Sequence, residues 1–213
     1  ADPHEIANVA GLRGVDEMRH AAQGVPLSIH WTAPSCVPAS PLESPGSTFT
    51  VDDITQMLTW PECAGLGEMM NFPAVLNGER EVYDKLHAAR DVPRDGHGPS
   101  LRGPAVQAYR GAGPGSDHET TTLEEGREKL RAGVFLMVRE GSVTRDLAAL
   151  QPLVDVAAGD RIGFVTDDRL PHDLLSEGGV DHVVRAAIAG GVDPAYALRC
   201  ATYNVALHYR LPR

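Results

Sequence analysis

An α/β fold on a parallel sheet, on the plan of a (β/α)8 TIM-type barrel, is what the sequence predicts, and three observations carry that prediction. Short apolar runs alternate with amphipathic stretches along the chain, which is the pattern of βα units. Neither GxGxxG after a strand nor GxxxxGK followed by Ser or Thr occurs, so the nucleotide-cofactor versions of that class lose their best support. Several strand candidates also end in a metal-capable or acidic residue: Glu68, His97, His118 and Asp167. In a barrel the strand C-termini line one mouth, so residues far apart in sequence converge there.

Element by element, Leu12, Val15, Met18, Ala21 and Ala22 fall near a helical period over 11–22, with Gly24 where a C-cap would stand. Residues 27–33 read as a strand closed by Pro34, and the Pro/Ser-rich 34–47 as a long loop. Thr50 precedes a helix through Trp60, with Asp53 placed as in a capping box. Residues 63–69 form a buried strand, 79–90 a helix with Val82, Leu86 and Ala89 on one side, and 94–97 a strand of poor propensity. Further along, 104–111, 123–132, 147–156, 181–189 and 194–207 read as helices. The remaining strand candidates are 115–119, 134–139 and 162–166.

Bulk properties narrow the function classes. The 213 residues carry a net charge of -10 and a pI near 5.3, which argues against a nucleic-acid or anionic-membrane surface. No apolar run approaches the ~20 residues of a membrane span. Cys36, Cys63 and Cys200 are irregularly spaced and fit neither a disulfide framework nor a zinc ribbon, so a reducing cytoplasm is expected. The opening Ala-Asp-Pro-His-Glu is polar from its second position, unlike a secretory leader, and the lack of Met at position 1 points to a natural start upstream.

A hydrolytic metal site needs imidazoles and carboxylates held around a cation with one position open for water. Two His and two carboxylates from four strand ends supply much of such a site. A lone His after a strand is more often simply hydrogen-bonded or exposed. Glu68, directly after a buried apolar run, differs in kind, because a carboxylate there is costly unless paired or coordinated. Asp167 carries the same argument, and alternation along the strand lets only one of Asp167 and Asp168 point inward. His20, His30, His87, His172, His182 and His208 read as surface or structural. Unaided, the pattern reaches a metal-dependent hydrolase on a barrel.

The blocks Ala1–Val9, Pro34–Ala39, Gly65–Asn71, Asp95–His97, Ser116–Glu119, Arg139–Ser142 and Thr166–Arg169, closed by Ala201–Asn204, resemble in order the signatures of the adenine deaminase family of amidohydrolases. The resemblance covers essentially the whole chain. It implies a (β/α)8 barrel with a divalent metal centre, binuclear in the complete protein, holding manganese or iron, with zinc compatible. Glu68 then bridges the metals, His97 and His118 are ligands, and Asp167 is both ligand and proton shuttle. The implied reaction is hydrolysis of adenine at C6 to hypoxanthine and ammonia, as in purine salvage and adenine catabolism. Asp2, His4, Glu5, Met70, Asn71, Arg139, Glu140 and Ser142 are candidate substrate contacts, although an Arg139–Glu140 salt bridge at the rim is an equal reading. Glu119 and Asp168 are candidates to support the ligands. The partner implied is the small molecule adenine, with neither nucleic acid nor membrane; a homo-oligomer is compatible.

The sequence departs from this family in lacking the His-x-His pair that follows the first barrel strand. Residues 1–213 are therefore expected to be a catalytic-barrel fragment holding about strands 3–8 and the end of strand 2, without the small β-rich domain. Such a fragment is expected to be inactive alone, with exposed sheet edges. The alternatives are another amidohydrolase, acting on a different amine or a cyclic amide, and a degenerate barrel serving as a scaffold subunit.

Overall fold

The computed structural model describes residues 1–211, which divide into two compact units. The first comprises Ala1–His97 with Gly111–Gly115, the second Gly98–Arg110 with the residues from Ser116 onward. Among the described residues, no helix is long and apolar enough to cross a membrane.

In the first unit, three parallel strands lie in the order β1 (Trp31–Ala33), β2 (Cys63–Met69) and β3 (Arg94–Gly96). Sequential parallel pairing requires a crossover between neighbours. Helix α2 (Val51–Met57) supplies it between β1 and β2, and α3 (Phe72–Asn77) with α4 (Arg80–Ala88) between β2 and β3. Thr50 closes the expected capping box: its hydroxyl accepts from Asp53 N–H at 3.2 Å while its own N–H donates to the Asp53 carboxylate at 2.7 Å. Helix α1 (His4–Ala21) starts earlier than the periodicity predicts and breaks at Gly11, with φ 62° and ψ -156°. The cause is local. The Asn8 carbonyl, which residue 12 would use in an unbroken helix, accepts from Gly46 and Ser47 instead.

Two expectations change here. The strand expected over 27–33 is only Trp31–Ala33, because Leu27 is exposed and unpaired with the sheet. The helix expected through Trp60 ends at Met57. Helix α3 is an addition to the predicted elements, with Asn71 capping it by accepting from Ala74 N–H at 3.2 Å.

The second unit repeats the plan with β4 (Ser116–Asp117), β5 (Phe135–Arg139) and β6 (Ile162–Val165), again parallel and in sequence order. Helix α5 (Gly103–Ala112) precedes β4, α6 (Leu123–Arg131) joins β4 to β5, and α7 (Leu147–Leu150) stands between β5 and β6. Every residue of β5 is buried, as expected for a parallel strand covered on both faces. Leu136, Val138, Ile162 and Phe164 form one core cluster with Leu150, Val183, Ala187, Tyr196 and Cys200. Each such aliphatic or aromatic side chain contributes about 1.5–3 kcal/mol by leaving water.

Beyond β6 lie α8 (Pro171–Ser176), α9 (Val180–Ala189), α10 (Pro194–Ala201) and α11 (Tyr203–His208). Helix α8 is an addition to the predicted elements. The stretches expected as single helices over 147–156 and 194–207 are each split: the first by 3-10 turns at Gln151–Leu153 and Val156–Ala158, the second at Thr202. Pro152 explains the first split, since it has no N–H to continue an α-helical ladder. Asn204 explains why the second is ordered: its buried amide donates to Ile162 O at 2.9 Å, tying α11 to β6.

Candidate metal centre

In the first unit Glu68 is held from three sides. Its N–H donates to Asp2 Oδ2 at 2.9 Å, its carbonyl accepts from the Ser35 hydroxyl at 2.6 Å, and its carboxylate accepts from His97 Nδ1 at 2.7 Å. His97 lies one residue beyond β3 and Glu68 near the end of β2, so the parallel pairing of these strands is what brings them together. His4, in the first turn of α1, places Nδ1 3.6 Å from Glu68 Oε1 and 3.7 Å from Asp2 Oδ1.

Electrostatics single out this corner. The Asp2 carboxyl is pushed up by burial. Its contact with His4 raises that imidazole to about 9, against burial and with help from the charges of Glu5 and Glu68. At 3.7 Å the contact is an ion pair rather than a hydrogen bond. Asp2 Oδ1 and His4 Nδ1 are both buried with no hydrogen-bond partner, a costly state. Asp2, His4 and Glu68 each offer one ligand atom within 4.8 Å of the others.

Gly67 makes the Asp2–Glu68 contact possible, because a Cβ there would overlap the Asp2 carboxylate. Gly67→Ala is therefore expected to expel Asp2 from Glu68 N–H and to cost about 1–3 kcal/mol, read as a lowered midpoint in urea unfolding.

In the second unit His118, one residue beyond β4, has Nε2 3.4 Å from Glu119 Oε1. Asp167, two residues beyond β6, adopts a left-handed φ of 54°. One atom from each of His118, Glu119 and Asp167 again lies within 4.8 Å of the others. Arg139, the last residue of β5 and only 4% exposed, organises this group. Its guanidinium donates to Asp167 Oδ2 at 3.0 Å, to Glu119 Oε1 and, through Nε, to Asp146 Oδ2 at 2.9 Å.

The structure thus groups Glu68 and His97 with Asp2 and His4, and His118 and Asp167 with Glu119 and Arg139. The other candidates have different surroundings. Arg139 pairs with Glu119, Asp146 and Asp167, and the Arg139–Glu140 salt bridge weighed as its rim alternative is replaced by these three contacts. Glu140 meets Arg145 in an isolated antiparallel β-bridge of the backbone. The Ser142 hydroxyl donates to Asp173 at 2.5 Å and accepts from Leu170 N–H at 2.9 Å, bracing two loops. Asn71 caps α3, with Met70 beside it, and the Glu5 side chain is 72% exposed. Asp168 is exposed and donates its N–H to Asp167 Oδ1, so it is Asp167 that joins the cluster.

Sequence reasoning missed Asp117, Lys129 and Asp146, which tie the second cluster together. Of these, only the Glu125–Lys129 spacing of four on one helix left a trace in the sequence.

Imidazole and carboxylate donors fit a divalent transition metal, and in each unit they stand at or just beyond the C-terminal ends of parallel strands. A family model described as "Amidohydrolase family" matches residues 1–213, and the chain belongs to that family. Within it, the chain is 49% identical over 211 residues to an adenine deaminase of Archaeoglobus fulgidus, covering 98% of this chain and 37% of the relative. It is 44% identical over 210 residues to "Adenine deaminase 2" of Carboxydothermus hydrogenoformans, covering 99% of this chain and 37% of that one. The adenine deaminase of Halalkalibacterium halodurans is 43% identical over 215 residues, with 100% and 37% covered. The chain spans about 37% of the length of these curated relatives.

Proposed function

We propose that the complete protein to which this chain belongs hydrolyses adenine to hypoxanthine and ammonia. The observation that carries the reading is the 43–49% identity, over essentially the whole chain, to proteins named adenine deaminase. In this reading Glu68, His97, His118 and Asp167 hold divalent metal, manganese or iron, with zinc compatible with the same donors. Bound metal supplies a water acidified to a pKa of about 7. The chain spans about 37% of the length of these relatives, so in this reading the remaining metal ligands are supplied by other parts of the complete protein.

The residues of this chain do the remaining work. Asp167, held through Oδ2 by Arg139, receives a proton from water and delivers it to the departing C6 amino nitrogen. Glu68 keeps its carboxylate oriented through the Asp2, Ser35 and His97 contacts. Asp2 and His4 offer polar atoms to the purine edge, a role suited to a pocket that needs few but well-placed polar groups. The protein acts on a small molecule in a cytoplasmic setting.

The test is an assay of the complete, metal-loaded protein for loss of adenine absorbance with stoichiometric ammonia release. Turnover of hydantoins or dipeptides but not adenine would move the protein to another amidohydrolase branch. No turnover of any of these, together with no metal retained, would favour a scaffold barrel.

A further inference from the structure

Lys129 lies on α6 and is 1% exposed, far below what a lysine tolerates without partners. Its ammonium has three protons, and three acceptors meet them: Gly98 O at 2.7 Å, Asp117 Oδ2 at 2.8 Å and Glu125 Oε1 at 2.6 Å. No proton is left over, so Lys129 offers nothing to a substrate. What it does is fix Asp117. That carboxylate accepts from Gly98 N–H at 2.8 Å through Oδ1, and from Glu119 N–H at 3.1 Å and the Thr120 hydroxyl at 2.8 Å through Oδ2.

The contacts of Asp117 bracket His118. The side chain of residue 117 closes onto the N–H of residue 119, a local turn of the kind aspartate favours, and His118 stands at its apex. Gly98, the residue after His97 in sequence, is gripped at both N–H and carbonyl by the same pair. Glu125 completes the network by accepting from Ser100 N–H at 3.0 Å. A Cβ at Gly98 would press on the end of the Leu101 side chain and lie in ordinary contact with Asp117.

We propose that Lys129 is a positioning residue for the metal site: through Asp117 it sets the orientation of His118. The inference rests on reading His118 as a metal ligand. A single buried cation between two carboxylates is also a folding element, so a loss of activity alone would prove nothing.

The experiment uses the complete protein, with Co2+ as the probe metal. Affinity is measured by chelator competition and ligand geometry by the visible absorption band. Lys129→Met and Asp117→Asn are expected to weaken Co2+ binding by about 10–100-fold, the range for groups that orient a ligand, and to alter the band. Leu130→Ala, the neighbouring residue on the same helix but in the core cluster, is expected to lower Tm without changing the band. Asp117→Asn keeps an oxygen for Gly98 N–H, so it carries the test if Lys129→Met does not fold. His118→Ala separates the two levels of the argument. If it abolishes tight binding while Lys129→Met and Asp117→Asn match the parent, the positioning role is overturned and the ligand reading stands. If His118→Ala itself binds like the parent, the ligand reading fails and the positioning role falls with it. Equal weakening and the same band change in Leu130→Ala would reduce Lys129 to a folding element.

Discussion

Asp167→Asn in the complete protein is expected to lower kcat for adenine deamination by about 10²–10⁴-fold, the range for a positioned proton-transfer group. The amide keeps the shape and one carbonyl oxygen, so Asp168 N–H retains its acceptor. What disappears is the basic oxygen that Arg139 holds at 3.0 Å and with it any means of shuttling the proton. Asp167 is an aspartate with φ 54°, a conformation that aspartate and asparagine both tolerate better than other side-chain-bearing residues. The substitution therefore adds no backbone strain, and any fall in Tm reports the lost ion pair with Arg139. Steady-state kinetics by ammonia release, with metal content measured on the same sample, reads the result. A variant with normal metal content and kcat within about tenfold of the parent would remove Asp167 from proton transfer.

How much of this was legible in the sequence depended on how local the cause was. Strand β2 runs from Cys63 to Met69 as its apolar run predicts, and the Thr50–Asp53 capping box forms as its spacing predicts, since both are set by neighbours in sequence. The short polar strands β3 and β4 have poor propensity, and parallel pairing places them. Helix α3 had a readable signal in Asn71 followed by Phe-Pro, although no element is predicted there. Lys129 had none. In Leu-Glu-Glu-Gly-Arg-Glu-Lys-Leu-Arg it reads as one more solvated charge, and only the remote Asp117 and Gly98 explain its burial. The two donor groups follow the same rule. Glu68, His97, His118 and Asp167 stand out because strand ends concentrate chemistry, whereas the role of Arg139 depends on three carboxylates from three different segments.

Arg139→Met is the substitution with the largest expected effect on stability. Arg139 is 4% exposed and faces Glu119, Asp146 and Asp167. Burial opposes its charge, but the surrounding carboxylates more than restore it and raise its proton affinity. Methionine fills much of the volume yet takes away the guanidinium that faces Asp146, whose side chain is only 13% exposed. Breaking a buried pair from one side costs about 3–5 kcal/mol, because the desolvated charge that remains has nothing to offset it. Arg139→Lys keeps the charge but replaces a planar fork with a single point, which cannot serve three carboxylates at once. It is expected to fall between the parent and methionine. Equilibrium urea unfolding of the three proteins measures this, and the order parent, lysine, methionine is the prediction. If methionine matched the parent, the carboxylates would have to be stabilised by something other than the arginine. The double variant Arg139→Met/Asp146→Asn then tests the cause: removing one stranded charge together with the cation should recover part of the loss, while a purely steric role for Arg139 predicts no recovery.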